Sequence, residues 1–490
     1  MKDTIKYLVW IFAIVPFLIA CGDSNTDDAP TDDFDVRFEL PATVDVSKGG
    51  ELTFTVKEGK SPLTTDSFLL EGGGISYLCP ILRTSSESFT VRLADECESG
   101  SYTAYLKRDA RKKSIGKIYI NIVDKIDFEP SAGTTVFGLV SSEEGPVANV
   151  VVSDGTEVTV TDDKGIYELK SAKKWGYVFI SVPSGYEVAA EGVFPQFYQT
   201  LKGAADVVEQ KDFKLTKVDG QDRYKLFLLG DMHLANRTND AAQFTQFTTD
   251  LNAYMAQHSG QKMYALTLGD MTWDLYWYKN NYALPQYRET INRQVKNLQI
   301  YHTMGNHDND GATIHSDSVD WAASAPYRRI IGPRYYSFNI GKVHYVVLDN
   351  LIYVNSPKKN SKDGIAGKRD YVRRVDSLQL DWLRRDLATV EDKSAPVVVA
   401  MHAATYRYNK FNDKVTAGLS DPAYSAELKA CFDGFEEVHY VSGHIHKNLL
   451  ARVDDRLIEH NIGAVCGSWW RTGANHFQML GPDAGPNGYA

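Results

Sequence analysis

The residues with the clearest chemical potential follow a short apolar stretch near the middle of the chain. Residues 225–229 read as a buried strand, and Asp231 and His233 follow it. Side chains two positions apart on an extended chain point the same way, so both groups are expected to face one cavity. A turn aspartate and a surface histidine are the alternative. The Asp-x-His pattern by itself is too short to decide between the two interpretations.

The same arrangement recurs downstream, which makes the alternative improbable. Each time, a strand-like apolar run ends in residues of metal-ligand type. Ligand sites in open α/β sheets gather at the carboxyl ends of strands, so these loops can meet at one edge. Glycines just before the ligands let the backbone turn sharply. The recurring segments are Gly269-Asp270, Gly305-Asn306-His307-Asp308, His402 and Gly443-His444-Ile445-His446.

The region after Arg223 has the pattern of a layered α/β domain, with short β-branched runs alternating with helical patterns. One helix is predicted after Asn239 and Asp240, whose side chains can cap it, and another is predicted to start near Ser377. Strands are predicted at residues 265–268, 343–348, 397–400 and 438–441. These elements would position the ligand-type residues.

The composition is that of an ordinary globular protein that is too long for a single core. The chain has 490 residues, 43% hydrophobic and 24% charged, so two or three domains are expected. A net charge of −10 and a pI near 5.7 argue against a general nucleic-acid binder. Any anionic substrate must therefore be held by local positive charge.

The N-terminus predicts export. Residues 1–21 combine early lysines with an apolar segment that is too short for a comfortable membrane span. The segment ends in Leu18-Ile19-Ala20-Cys21, which resembles the lipobox of bacterial lipoproteins, with Cys21 as the lipidated first residue. A buried core helix is the less favoured alternative. The acidic residues 22–33 would then be a flexible tether, and the protein would be anchored to the bacterial membrane, in the periplasm or at the cell surface.

Two β-rich regions precede the predicted α/β domain. Residues 34–125 alternate apolar and polar side chains, which predicts a small immunoglobulin-like β-sandwich. Cys79 and Cys97 lie in this region and could form a disulfide or remain isolated buried thiols. Residues 126–220 form a second β-rich region without a catalytic constellation, and residues 221–490 form the predicted catalytic domain.

In that order, the motifs resemble those of the calcineurin-like metallophosphoesterase superfamily. The resemblance in motifs covers residues 224–470, while residues 150–155 and 177–186 resemble the N-terminal domain of a lipoprotein-like bacterial branch. It implies an α/β fold in which a metallophosphoesterase β-sandwich is flanked by helices, preceded by two small all-β domains. Relatives of this branch usually continue into a further β-domain, so that domain is missing or the sequence is truncated.

The resemblance also implies two divalent metal ions. One would be held by Asp231, His233, Asp270 and His446, and the other by Asp270, Asn306, His402 and His444. Two cations a few ångströms apart need a shared anionic ligand, which suits Asp270 as the bridge. Mixed carboxylate, amide and imidazole donors suit Mn, Fe, Zn or Ni more than Ca or Mg.

His307, the residue after Asn306, is assigned to the phosphate. His307 cannot easily share a metal with Asn306, so we expect it to protonate the leaving oxygen or to stabilise developing negative charge, with Asp308 orienting it. A simple turn-forming role is the alternative for Asp308. The expected nucleophile is a hydroxide that bridges the metals.

Two well-known subfamilies do not fit the sequence. The purple acid branch has a tyrosine where this chain has Trp273, and the protein Ser/Thr phosphatases have Asp-Arg-Gly where this chain has Thr272-Trp273-Asp274. Further residues could grip a phosphate or stack on an organic group, although solvated arginines and packed tryptophans are the favoured interpretation. They are Arg237, Tyr406, Arg407, Trp469, Trp470 and Arg471.

We therefore predict a two-metal hydrolase of phosphate monoesters or diesters at the cell envelope. A nucleotide pyrophosphohydrolase using the same site is one alternative. The other is an inactive cell-surface binding protein on the same scaffold, but no gap is visible among the ligands. The expected substrate is a phosphorylated small molecule or glycan, without specificity for nucleic acids.

The predicted anchor can be tested at Cys21. The wild-type protein should partition into the membrane fraction, and Cys21→Ser should abolish lipid attachment, because only a thiol can carry the thioether-linked lipid. Mass spectrometry of the mature N-terminus provides the measurement. A mature chain that begins anywhere other than Cys21 would contradict the lipoprotein prediction.

Overall fold

The computed structural model describes the chain from residue 36 onward with several gaps. The described ranges are residues 36–41, 43–123, 126, 128–201, 204–237, 239–356, 368–409, 411–465, 471–472 and 479–480. The predicted signal sequence and tether, residues 1–33, lie outside them, so export stays a prediction. Within the described ranges, none of the helices combines the length and apolar character needed to cross a membrane. The chain divides into two compact units, residues 1–122 and 123–490.

The first unit is all-β over its described residues. Its strands form one eight-stranded sheet in the order β1-β3-β6-β5-β4-β7-β8-β2. In the fifth strand the buried residues Tyr77, Cys79 and Ile81 alternate with exposed ones, as expected for a sheet with one face on a core. Cys79 and Cys97 are both buried and free. The strands are β1 (Val36–Phe38), β2 (Thr43–Ser47), β3 (Glu51–Gly59), β4 (Ser67–Gly72), β5 (Ile75–Thr84), β6 (Ser88–Arg92), β7 (Gly100–Arg108) and β8 (Arg111–Val123).

The second unit begins with a further β-rich region. Its main sheet has the strand path β10-β9-β20-β15, and a second sheet has the order β12-β11-β14-β18. The strands are β9 (Val136–Ser142), β10 (Gly145–Pro146), β11 (Val151–Ser153), β12 (Val158–Val160), β13 (Ile166–Leu169), β14 (Tyr177–Ser181), β15 (Tyr186–Val188), β16 (Ala190–Glu191), β17 (Phe194–Pro195), β18 (Tyr198–Thr200), β19 (Glu209–Gln210) and β20 (Phe213–Lys217).

The region from Tyr224 onward is the mixed α/β part of the chain, as predicted. Its strands are β21 (Tyr224–Leu229), β22 (Lys262–Thr267), β23 (Gln299–Tyr301), β24 (Tyr336–Ile340), β25 (Val343–Val347), β26 (Leu351–Ser356), β27 (Lys368–Arg373), β28 (Val397–Met401), β29 (Tyr406–Asn409), β30 (Lys414–Ala417), β31 (Val438–Ser442), β32 (Leu449–Arg452), β33 (Leu457–Asn461), β34 (Arg471–Thr472) and β35 (Met479–Leu480). The helices are α1 (Asp240–Gln257), α2 (Leu284–Gln294), α3 (Val319–Ala323), α4 (Ala325–Ile330), α5 (Ser377–Ala388) and α6 (Pro422–Ala430).

Two sheets form the layers of this region. One contains β21, β22 and β23, all parallel, and the other has the order β24-β25-β28-β31-β33-β32 with β25, β28, β31 and β33 parallel. Their inner faces share one apolar core, in which the rings of Tyr301 and Phe338 stack 3.7 Å apart. Helices α1 and α2 cover the outer face of the first sheet through Phe244, Leu251 and Ile291. The arrangement is a β-sandwich with helices packed outside it.

The two predicted helices form, with one difference at a cap. Helix α5 starts at Ser377, and Asp376 caps it by accepting a hydrogen bond from the amide of Gln379. Asn239 precedes α1 in a left-handed conformation, and its side chain makes no capping hydrogen bond. Asp240 instead accepts hydrogen bonds from the amides of Ala235 and Arg237. The carboxylate therefore fastens the loop that follows Asp231 and His233.

The β-rich region before Tyr224 shares its core with the α/β region. Trp382 of α5 is fully buried, and its ring lies 6.1 Å from that of Phe179 in β14 and 5.0 Å from that of Tyr335. Its Nε1 donates a hydrogen bond to the hydroxyl of Ser153 in β11. The amide of Asn339 in β24 also donates to the carbonyl of Val182. Over the described residues, the β-rich region and the two sheets of the α/β region thus share one apolar core.

Trp382 provides a test of this shared core. Trp382→Ala should lower the free energy of unfolding by about 3–5 kcal/mol, because it removes a fully buried ring and leaves a cavity. Leu378→Ala on the same helix is the matched control: Leu378 is 40% exposed, so the change should stay within about 0.5 kcal/mol. Urea unfolding gives both values. Similar losses for the two variants would contradict the shared interior.

Candidate metal centre

The predicted ligand residues all lie just beyond the carboxyl ends of parallel strands. Asp231 and His233 follow β21, and Asp270 follows β22. The segment Asn306–Asp308 follows β23 and forms one 3-10 turn. In the second sheet His402 follows β28, and His444 and His446 follow β31. Because strands of both sheets end at this edge, side chains from distant parts of the sequence meet there.

One group of ligand atoms comes from the first and last of these loops. Asp231, His233 and His446 place their ligand atoms within 4.8 Å of one another. The Nε2 of His446 lies 3.2 Å from Oδ1 of Asp231 and 3.0 Å from Nε2 of His233. All three side chains are buried. One carboxylate and two imidazoles therefore converge on a single small volume.

A second group adjoins the first. Asp270, His402 and His444 also place their ligand atoms within 4.8 Å of one another. The Nε2 of His402 lies 3.0 Å from Oδ1 of Asn306 and 3.2 Å from Nδ1 of His444. The other ring nitrogen of His402 donates to the carbonyl of Leu268 at 2.6 Å, which turns Nε2 towards the group.

Asp270 lies between the two groups. Its Oδ2 is 3.1 Å from Nε2 of His402 and 3.6 Å from Nε2 of His233. Its Oδ1 accepts a hydrogen bond from the backbone amide of His307 at 2.8 Å. One oxygen of this carboxylate thus faces donors of both groups. This is the position that a bridging ligand must have.

The backbone at the ligands adopts an unfavourable conformation. Asp231, His233, Asp270, His444 and His446 have φ values between 46° and 69°, in the left-handed region that non-glycine residues rarely adopt. Such residues cost on the order of 1 kcal/mol or more each and persist only where the surroundings impose them. Strained backbone concentrated at these positions is typical of a functional site.

The preceding glycines are required for two different reasons. Gly269 has φ 87°, so it makes the turn that a side chain would oppose. A Cβ at Gly443 would lie 2.4 Å from a carboxylate oxygen of Asp231, and one at Gly305 would lie 2.3 Å from Oδ1 of Asp270. At Gly443 and Gly305 the constraint is space beside the ligand carboxylates.

The buried carboxylates are held in their charged form by imidazoles. Burial alone would raise the pKa of Asp270, but the nearby rings, His402 above all, lower it well below its ordinary value. Burial acts in the same direction on Asp231, and His446 reverses it, so that the pKa of Asp231 is also lowered. The centre therefore carries two negative charges that need positive partners.

The pKa values of the four histidines differ according to their contacts with these carboxylates. Burial opposes protonation of His402, but the charge of Asp270 raises its pKa to about 10. Asp231 likewise raises the pKa of His446 against the effect of burial. Burial and the neighbouring His402 lower the pKa of His444 to about 3, and burial lowers that of His233 well below its ordinary value. Without cations, two rings would hold protons between the carboxylates.

The donor set fits a pair of divalent cations. Each group supplies a carboxylate and two imidazoles, Asn306 adds an amide oxygen, and Asp270 is placed to serve both. Cations would replace the protons on His402 and His446, since metal ligands bind in their deprotonated forms. Such mixed nitrogen and oxygen donors are those of transition-metal sites.

His307 contacts a carboxylate that the sequence analysis did not select. Its Nδ1 lies 2.7 Å from Oδ1 of Asp274, whose side chain is fully buried in the 3-10 turn Asp274–Tyr276. The prediction that Asp308 orients His307 is corrected, because the ring partner is Asp274. The reason is local geometry: Asn306, His307 and Asp308 occupy consecutive positions of one tight turn, so their side chains diverge.

Asp308 holds the backbone of the site. Its carboxylate accepts hydrogen bonds from the amides of Gly305 and Thr272 at 2.9 and 3.0 Å and from the hydroxyl of Thr272 at 3.1 Å. Burial, followed by the charge of Asp270, raises the pKa of Asp308 to about 7. The residue therefore fastens the loop of Asp270 to the turn of His307, which is close to the turn-forming alternative.

Glu459 has a similar role in the second sheet and was not foreseen from the sequence. It is buried in β33 and accepts hydrogen bonds from the amides of Thr405 and Tyr406 at 3.0 and 2.5 Å and from the hydroxyl of Ser442 at 2.7 Å. These donors belong to the loop after His402 and the end of β31. No local motif marks a strand glutamate as such a brace.

An open cavity of about 270 Å³ is lined by five of the candidate ligands, His233, Asp270, Asn306, His444 and His446. Its other lining residues include His307, Ile445 and Tyr371, which β27 contributes. The hydroxyl of Tyr371 lies 3.2 Å from Nε2 of His444. No sequence motif marks Tyr371, because it lies on a strand far from the motifs. The same holds for Arg369, two positions earlier on that strand, which contacts Asp274. The sequence did contain a weak indication of Asp274, because this residue lies four positions after Asp270.

The remaining candidate phosphate-binding or stacking residues lie near the site or outside the residues that the structure describes. The guanidinium of Arg237 lies 4.7 Å from the ring of Trp273 and 4.8 Å from that of Tyr276. The hydroxyl of Tyr406 donates to the carbonyl of Ser425, and Arg407 is half-buried. Arg471 belongs to β34, but its side chain is outside the description, as are Trp469 and Trp470.

Comparisons with known structures give only distant similarity. A 5'-nucleotidase from Candida albicans SC5314 aligns at 14% identity and a TM-score of 0.28, over 49% of this chain and 45% of its own. A DUF4784 family protein from Bacteroides caccae ATCC 43185 aligns at 10% identity and a TM-score of 0.15, over 31% and 36%. The chain thus spans less than half of either structure. No curated protein shows significant similarity to it.

Family profiles identify the chain more clearly. Residues 134–218 match the N-terminal domain of calcineurin-like phosphoesterases, and residues 224–448 match the calcineurin-like phosphoesterase domain itself. The second match contains every ligand residue described above. It also contains the parallel strands that position them. This chain belongs to the calcineurin-like metallophosphoesterase superfamily.

Proposed function

We propose that this protein hydrolyses phosphate monoesters or diesters of small molecules or glycans with two divalent metal ions. We also propose that it acts at the cell envelope as a lipid-anchored protein. The location rests on the sequence of residues 1–21 alone. The chemistry is supported by the position of Asp270, which belongs to one ligand group and lies 3.6 Å from His233 of the other, and by His307, which borders the same cavity.

The candidate site residues have separate roles in this proposal. Asp231, His233 and His446 would hold one cation, Asn306, His402 and His444 the other, and Asp270 both. When bound, such cations neutralise phosphate charge and lower the pKa of water enough to provide a nucleophile near neutral pH. His307 borders the cavity and its Nδ1 contacts Asp274, so we infer that its Nε2 gives a proton to the leaving oxygen.

The bridging assignment predicts unequal effects on metal content. Asp270→Asn should weaken binding of both cations, because it removes the one charge placed between the groups, whereas His402→Ala should mainly empty one site. The loss of metal affinity in Asp270→Asn should exceed the ~10–100-fold loss that is typical of removing an outer hydrogen-bond partner. Elemental analysis after dialysis measures the metal content of each variant. The exposed Asp317→Asn is the control. Two metals retained in Asp270→Asn would contradict the bridge.

The role of His307 predicts a dependence on the leaving group. An alkoxide needs a proton in the transition state, while p-nitrophenolate leaves readily without one. His307→Ala should therefore reduce kcat/KM by roughly 10²–10⁴-fold on alkyl phosphates and distinctly less on p-nitrophenyl esters. Steady-state kinetics on both substrates provide the measurement.

Two controls accompany the kinetics. His315→Ala removes an exposed imidazole from the same stretch of chain and should leave both rates unchanged. Metal content must match that of the wild type. Equal losses on both leaving groups at unchanged metal content would remove the proton-donor role and favour electrostatic stabilisation of the phosphoryl oxygens. The assignment of the metal ligands would stand in that case.

A further inference from the structure

A strand outside the ligand loops contacts both sides of the metal centre. Strand β27 pairs with β26 in an antiparallel hairpin, with Arg369 opposite Asn355 and Tyr371 opposite Tyr353. Arg369 and Tyr371 are two positions apart, so they project from the same face of β27. Tyr371 lines the cavity and approaches His444, while Arg369 reaches the carboxylate behind His307.

Arg369 completes a chain of three charged or titratable groups. Its Nε lies 2.7 Å from Oδ2 of Asp274, and Oδ1 of the same carboxylate lies 2.7 Å from Nδ1 of His307. Asp274 is fully buried, and only 16% of the Arg369 side chain is exposed. One carboxylate oxygen therefore contacts the imidazole, and the other has the guanidinium as its ion-pair partner.

Burial makes the contact consequential. A carboxylate in the interior is stable only when it is paired, and loss of one partner leaves the charge uncompensated. Without Arg369, Oδ2 of Asp274 would lose its ion pair, and the carboxylate could rotate away from His307. The ring of His307 would then lose the contact that selects which nitrogen faces the substrate.

We propose that Arg369 is a positioning residue for His307, acting through Asp274, so that β27 sets the efficiency of proton transfer to the leaving oxygen. The proposal deepens the proposed function and rests on the role of His307 stated there. It assigns the centre to esters of aliphatic alcohols. Hydrolysis of an anhydride, whose leaving group is a phosphate, would gain little from a positioned proton donor.

The first test compares single variants on two substrates. Arg369→Gln should reduce kcat/KM on an alkyl phosphate by about 10–100-fold and distinctly less on p-nitrophenyl phosphate, with unchanged metal content. Lys368→Gln is the matched control: it removes a positive charge from the adjacent, exposed position of the same strand and should leave both rates unchanged. Equal losses on both substrates, or an effect of Lys368→Gln as large as that of Arg369→Gln, would overturn the proposal.

A double-mutant cycle separates positioning from independent effects. If Arg369 acts through His307, Arg369→Gln should cost almost nothing further in the His307→Ala background. Losses that multiply would overturn the proposal. This result does not depend on whether His307 donates a proton. Equal losses of His307→Ala on both substrates would refute only the proton-donor role, and the cycle would still report the coupling.

A conservative variant covers the case in which Arg369→Gln does not fold. Arg369→Lys keeps the positive charge but loses the guanidinium Nε that contacts Asp274. It should lose kcat/KM relative to the wild type mainly on the alkyl phosphate, and it should cause no further loss in the His307→Ala background. A loss of the same size on both substrates, or one that persists without His307, would overturn the proposal.

Discussion

The attraction between two buried carboxylates and the imidazoles around them is the interaction on which this structure depends. Asp231 and Asp270 come from neighbouring parallel strands, and neither is stable in the interior as an unpaired charge. His402 and His446 approach them from the other sheet. The centre thus links the two sheets electrostatically at the same edge where a substrate must bind. Cations in place of protons would strengthen the same link.

The fold maintains this convergence against local backbone preferences. Five of the candidate ligand residues hold left-handed conformations that their side chains disfavour, and two glycines leave room for carboxylates that would otherwise clash. Two buried acids, Asp308 and Glu459, bind the amides of adjacent loops and hold the ligand loops in place. The metal ligands are therefore positioned by a second set of residues that never need to touch a metal or a substrate.

A third set of contacts connects the centre with strand β27. Tyr371 approaches His444, a ligand candidate, and Arg369 reaches His307 through Asp274. One strand therefore contacts the metal side and the leaving-group side of the same cavity. The hairpin lies outside the ligand loops, so it contacts the centre without contributing a candidate metal ligand.

The sequence by itself predicted the candidate metal ligands and the edge at which they meet. Each ligand follows an apolar run, and parallel strands bring their carboxyl ends together, so Asp231, Asp270 and His402 could be placed from local pattern. The partner of His307 was decided only by tertiary structure. The tight turn of residues 306–308 directs Asp308 to backbone amides, and Asp274 reaches His307 instead. The contact of Arg369 with Asp274 spans 95 positions of sequence, and such a pairing depends on how the chain folds rather than on any local motif.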